Sequence, residues 1–251
     1  MRVAVEGRVG RLTLDRPQVR NAISVELAGE LAAGVRELAP QVDVIVIRGA
    51  SGTFCAGGDV AELDRLRLTG RAALAGLFGA FREALDAVAA AEVPVVAVVE
   101  GHAVAGGFEL VQACDVVVAA ESAVLADIHS RFGQVPGGGG TQLLPRLVGR
   151  ARACALILTG DSLTARQACD WGLVYEVFPD AELDAGVADL IARLTRGSRA
   201  ARTAAKRLIR SGLELPLAAG WDAETEAVLD HLTGTAGAAA VEAFTSRRTN
   251  A

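Results

Sequence analysis

The 251-residue chain is short of several residue types, and each shortage closes off a class of chemistry. It has a single lysine, Lys206, so 24 of its 25 basic residues are arginine. That leaves little room for a lysine-centred Schiff base or a P-loop. Positive charge is not in excess: net charge is −5, which argues against nucleic acid as a partner. The best apolar run, Val93 to Val99, stops at Glu100. A membrane span needs about 20 such residues, so none is expected. Met1 to Gly10 holds Arg2, Glu6 and Arg8 and no apolar signal core, so secretion by that route is not expected. The four cysteines (Cys55, Cys114, Cys154, Cys169) show no CxxC spacing, and His102, His129 and His231 form no HExxH. No zinc or other metal site is expected, and the thiols read as reduced, mostly buried groups of a cytoplasmic protein. No GxSxG elbow occurs either.

What is present is a large apolar share, 51%, and 28 glycines. The first excludes disorder and is ample for a core. Short β-branched runs alternate with helical periodicity. Val3 to Val5 and Arg11 to Leu14 read as a hairpin, and Asn21 to Leu38 as a helix. Val42 to Ile47, Val93 to Val99, Asp115 to Ala119, Ala123 to Ala126 and Leu173 to Val177 read as strands. Ala72 to Ala91, Thr141 to Val148, Arg152 to Leu158 and Thr164 to Asp170 read as helices. After Pro179 only helical patterns remain, over 183–196, 198–211, 217–232 and 235–248. The expected division is an α/β core over 1–190 and a helical segment over 191–251, which packs on the core or on another subunit.

Twelve glycines fall in three knots: 49, 52, 57 and 58; 101, 106 and 107; 133, 137, 138, 139 and 140. In the first two a strand leads through the glycines into a helix. Glycine permits positive φ and close backbone approach, and a helix start offers free N–H groups. Two such loops can each aim one N–H at a single oxygen, as an oxyanion hole requires. The spacing of 101 and 106 lacks the Lys and Ser/Thr of a P-loop, and 137–140 lacks the dinucleotide pattern.

Three motifs together resemble the enoyl-CoA hydratase/isomerase (crotonase) superfamily. They are Phe54-Cys55-Ala56-Gly57-Gly58-Asp59, then His102 to Leu110 with Cys114-Asp115, then Val135-Pro136-Gly137-Gly138-Gly139-Gly140-Thr141-Gln142. Leu14-Asp15-Arg16-Pro17 with Asn21-Ala22, Leu158-Thr159-Gly160 with Gly172-Leu173-Val174, and Glu242-Ala243-Phe244 with Arg247-Arg248 are similar too. The resemblance implies an α/β spiral of ββα turns, an acyl-CoA substrate with no separate cofactor, and a helical tail that builds homotrimers or homohexamers. It implies that the N–H groups of Ala56 and Gly106 hold the thioester oxygen. Gly57, Gly58, Asp59, Gly107, Pro136 and Gly137 would line the substrate.

Hydratases of this family carry two glutamates. Glu109, three residues after the oxyanion glycine, matches the first; the second position, seven before Pro136, holds His129. A histidine titrates near neutrality and can serve as acid or base. Asp127, two residues earlier, faces the same way in an extended segment and is a candidate helper. The resemblance therefore implies hydration of an enoyl-CoA by Glu109 and His129. Open alternatives are an enoyl-CoA isomerase, a decarboxylase, a β-diketone hydrolase, or a non-catalytic CoA-binding subunit. The hydrolases share histidine at 129 but carry aspartate where this chain has Gly138.

Overall fold

The computed structural model describes residues 1–249, except the side chains of 243, 244 and 246–249. Phe244, Arg247 and Arg248 of the tail motif thus lie outside the described side chains. The chain opens with β1 (Arg2–Glu6) and β2 (Val9–Leu14), an antiparallel hairpin. Then come α1 (Val25–Leu38), β3 (Val44–Gly49), α2 (Val60–Thr69) and α3 (Arg71–Ala90). β4 (Val95–Val99), β5 (His102–Val104) and α4 (Gly106–Ala113) follow. β6 (Val116–Ala120), β7 (Val124–Ala126) and α5 (Gly140–Val148) repeat that order. α6 (Arg150–Thr159), β8 (Ser162–Thr164), α7 (Ala165–Asp170) and β9 (Glu176–Phe178) precede four helices. These are α8 (Leu183–Leu194), α9 (Arg199–Gly212), α10 (Leu217–Thr233) and α11 (Thr235–Thr249).

A six-stranded sheet runs β1-β2-β3-β4-β6-β9, parallel throughout except at the first hairpin. A smaller sheet runs β5-β7-β8. Each turn of chain gives one strand to the large sheet, one to the small sheet, then a helix. β4, β5 and α4 make one such turn, and β6, β7 and α5 the next. β3 and α2 belong to an earlier turn in which a single residue, Cys55, bridges in parallel to Ala103 of β5. The result is the expected spiral of ββα turns.

The β-branched runs are continuous because both faces of the large sheet are covered. Ile45, Ile47, Val95, Ala97 and Val99 join α1 and α3 in one core. Val44, Val46, Val96, Val98 and Val118 meet Leu183, Val187, Leu190 and Ile191 of α8 in a second.

Four elements differ from the sequence reading. α1 starts at Val25, not Asn21, because Ser24 caps it, its Oγ accepting the Leu27 N–H at 3.1 Å. Leu173 and Val174 are not in a strand; their N–H groups bond the Ala168 carbonyl at the end of α7. β5 and β8, three residues each, are too short to show an alternating pattern.

α9 carries no buried residue and holds to the core through polar contacts. Arg199 donates to the carbonyls of Ala39 (2.7 Å) and Pro40 (3.0 Å), and Thr203 to that of Glu92 (2.8 Å). Lys206 donates to the Val93 carbonyl at 3.0 Å and to Asp115 Oδ2 at 2.6 Å. The one lysine of the chain is therefore a strut between tail and sheet. Burial pushes the Asp115 carboxyl up, and the Lys206 ammonium opposes that. Among the described residues no helix is long and apolar enough to cross a membrane. Replacing Lys206 by Met leaves Asp115 facing an apolar group, so unfolding in urea should show a loss of about 3 kcal/mol. An unchanged midpoint would remove the strut from the account.

Candidate active site

Two loops leave the same ends of the neighbouring parallel strands β3 and β4 and lock together. The Cys55 N–H donates to the His102 carbonyl at 2.9 Å, and the Val104 N–H to the Cys55 carbonyl at 3.0 Å. Gly107 sits against this bridge: a Cβ there would stand 2.4 Å from the Cys55 oxygen. Gly57, at φ 97°, lies against the other loop, where a Cβ would be 2.9 Å from that of Ala105 and 3.4 Å from Gly106 N. The second and first glycine knots are thus one contact.

Gly106 opens α4, so its N–H is among the first-turn donors that have no carbonyl a turn back. Ala56 differs from the expectation of an open donor: its N–H donates to the Arg20 carbonyl at 3.0 Å. The Gly57 N–H donates to Cys55 Sγ at 3.4 Å. Burial pushes the Cys55 thiol up to about 12, so it stays protonated and serves packing, not nucleophilic chemistry.

The first loop is braced from the N-terminal segment. Asn21, fully buried at φ 60°, donates through Nδ2 to the carbonyls of Ala50 (2.9 Å) and Thr53 (2.7 Å). Its Oδ1 accepts the Arg16 N–H at 2.9 Å. Arg16 Nη2 reaches Asp59 Oδ2 at 2.8 Å, while Asp59 Oδ1 accepts the N–H groups of Ala61 and Glu62. Burial raises the Asp59 carboxyl, but Arg16 and those amides outweigh it and hold the group below the usual carboxylate range. Asp59 and Gly107 therefore brace the loops. Gly58 is open, with nothing within 4 Å of a Cβ position.

The proton-bearing groups converge beside the second loop. Glu109, only 2% exposed, sits in the first turn of α4, and its Oε1 accepts the N–H groups of Gly138 and Gly140, both at 2.8 Å. Asp127 is fully buried, and its Oδ1 lies 2.6 Å from His129 Nδ1. A Cβ on Gly140 would stand 3.1 Å from both Glu109 Oε1 and Asp127 Oδ2, so this glycine marks where the acids meet. The Asp127–His129 pair forms through a turn, not an extended strand: Ile128 has φ −97° and ψ 6°, and His129 opens a short 3₁₀ turn. Burial pulls the His129 pKa down, but the bond and charge of Asp127, with the charge of Glu109, outweigh it and raise it. Burial pushes Glu109 up, against the two glycine amides and the His129 charge.

Pro136 and Gly137 lie in the loop that leads to those amides. Gly137 rests on Phe78 and Gly138 on Phe81 of α3, each closer than a Cβ would allow. The structure thus brings together Ala56, Gly57 and Gly106 in one contact and Glu109, Asp127 and His129 in another. Sequence reasoning missed Ala105, which takes φ 47° and ψ −120° between β5 and α4. It also missed the Arg20 carbonyl on Ala56. No sequence signal marks either, since alanine and arginine do not announce positive φ.

The profile of the enoyl-CoA hydratase/isomerase family matches residues 4–250. The 2,3-dehydroadipyl-CoA hydratase of Escherichia coli is 38% identical over 224 residues, covering 87% of this chain and 84% of that protein. The enoyl-CoA hydratase of Bacillus anthracis superposes with a TM-score of 0.92 at 30% identity, over 98% of this chain and 96% of the other. A Thermobifida fusca protein crystallised with acetoacetyl-CoA gives 0.84 at 33% identity, over 92% and 94%. With its crotonase fold and its motifs in register, the chain belongs to the enoyl-CoA hydratase/isomerase family.

Proposed function

We propose that the chain adds water to a 2-enoyl-CoA thioester, or removes it in the reverse direction, with Glu109 and His129 as the proton-moving pair. The observation that carries this reading is that Asp127, bonded to His129, meets the amide-held Glu109 around Gly140. Coenzyme A enters as part of the substrate. The names of the E. coli and T. fusca relatives support a thioester ligand.

The thioester oxygen takes the Gly106 N–H, and the Ala56 N–H when that group exchanges the Arg20 carbonyl for substrate. Each such donor is worth about 3–4 kcal/mol as negative charge develops on the oxygen. Gly57 and Gly58, with Pro136 and Gly137, line the thioester on either side. His129 uses Nε2, because Nδ1 is engaged by Asp127. Its raised pKa favours an imidazolium that delivers a proton to Cα. Glu109, whose pKa burial raises against the two amides and that charge, takes the proton of the water attacking Cβ. Water thus supplies hydroxyl to Cβ and a proton to Glu109, His129 supplies the Cα proton, and solvent carries the proton back from Glu109 to His129.

The β-diketone hydrolase reading loses support from packing. A side chain at 138 would begin 2.2 Å from Phe81 and 2.6 Å from Glu109 Oε2, so the aspartate of those enzymes has no room. For assembly, a homotrimer or homohexamer through the tail is supported by exposed Ile209, Leu217 and Trp221 on α9 and α10 and Leu213 in the link between them.

Loss of enoyl absorbance with crotonyl-CoA and longer chains measures the activity. Glu109→Gln keeps an acceptor for the two glycine amides but loses the base, so turnover should fall about a hundredfold or more. Equal rates in this variant would contradict the mechanism. His129→Ala should cost at least about tenfold; full activity would assign His129 to packing. The rate should fall as pH rises through the His129 pKa. Asp127→Asn removes the charge that raises that pKa, so the alkaline limb should move to lower pH; an unmoved limb would exclude Asp127 as its cause.

A further inference from the structure

We infer that Ala105 is a positioning residue: its backbone conformation and methyl group fix the direction of the Gly106 N–H. The inference rests on the proposed oxyanion role of Gly106.

The side-chain-capped helices among the described residues start in the ordinary way. Ser24, Asp59, Thr164 and Ser198 precede their helices in extended conformations, and each side chain accepts an N–H of the first turn. Ala105 departs on both counts. It holds φ 47° and ψ −120°, a region that glycine visits freely and alanine avoids, and it has no side-chain acceptor. The first-turn amides of α4 are therefore left without a local competitor.

Its conformation is pinned on both sides. The Ala105 N–H donates to the Ala126 carbonyl at 3.0 Å, and the Ala105 carbonyl accepts the Glu109 N–H at 3.0 Å. In a trans peptide the C=O and the next N–H point in opposite directions. With the Ala105 carbonyl turned along α4 to Glu109, the Gly106 N–H points out from the helix start. One peptide unit thus joins the backbone of the proposed base to the proposed oxyanion donor. The methyl lies on the side of Gly57, where an added Cβ would stand 2.9 Å from it. Rotation of this peptide requires ψ of Ala105 to change, and at positive φ a Cβ leaves few values of ψ open. A glycine at 105 lacks the Cβ and with it the narrow choice of ψ.

Ala105→Gly separates positioning from folding, because glycine is at ease at positive φ and the variant should melt at or above the wild-type temperature. With crotonyl-CoA, kcat should fall about tenfold while KM stays within about twofold, as expected for partial loss of a transition-state contact. Binding of 2,4-hexadienoyl-CoA gives a second readout, since polarising its carbonyl moves the conjugated absorption to longer wavelength. That shift should be large in wild type and reduced in Ala105→Gly. The Gly106 amide resonance, read without ligand, should be single in wild type and broadened by exchange in the variant. Wild-type kcat and spectral shift, or a single unbroadened amide in Ala105→Gly, overturn the inference. A broadened amide alongside no spectral shift in wild type would instead keep the positioning and reject the thioester reading of Gly106.

Discussion

Two backbone hydrogen bonds, from Cys55 to His102 and from Val104 to Cys55, decide where everything else in the site stands. They make a one-residue strand out of Cys55 and tie the loop after β3 to the loop after β4. The contact is so close that Gly107 and Gly57 have no room for a side chain. Residues distant in sequence then serve it. Asn21 fills its buried amide with loop carbonyls, and Arg16 with Asp59 closes the outer side. Burying such groups is tolerable because nearly every polar atom in this brace is paired.

Beside this rigid contact lies a cluster of buried polar groups. Glu109 is taken out of water and accepts two glycine amides; Asp127 is fully buried and its Oδ1 bonds His129. The result is a carboxylate and an imidazole shifted together, with the imidazole held upward by its buried partner. In the proposed reaction histidine can stand in place of a second carboxylate because Asp127, two residues before it, engages its Nδ1.

Much of this was legible in the sequence. The glycine knots mark both loops because close approach excludes every other residue, and the β-branched runs mark the buried strands because both sheet faces are covered. Glu109 and His129 stood at readable spacings from Gly106 and Pro136. What was not legible has physical reasons. β5 and β8 are too short for a period, and the start of α1 depends on Ser24 winning the cap. The engagement of the Ala56 N–H by Arg20 and the backbone of Ala105 arise only from tertiary contact. The lone lysine left little room for lysine chemistry in the sequence reading, and its place as a strut to Asp115 required the packing of α9 on the sheet.

The central claim is that the Gly106 amide, Glu109 and His129 address one thioester. A crystal structure with acetoacetyl-CoA bound tests it most directly. The account predicts the thioester oxygen about 3 Å from Gly106 N, with the acyl carbons between Glu109 and His129 Nε2. A thioester oxygen turned away from Gly106, or acyl carbons beyond reach of both side chains, would contradict it.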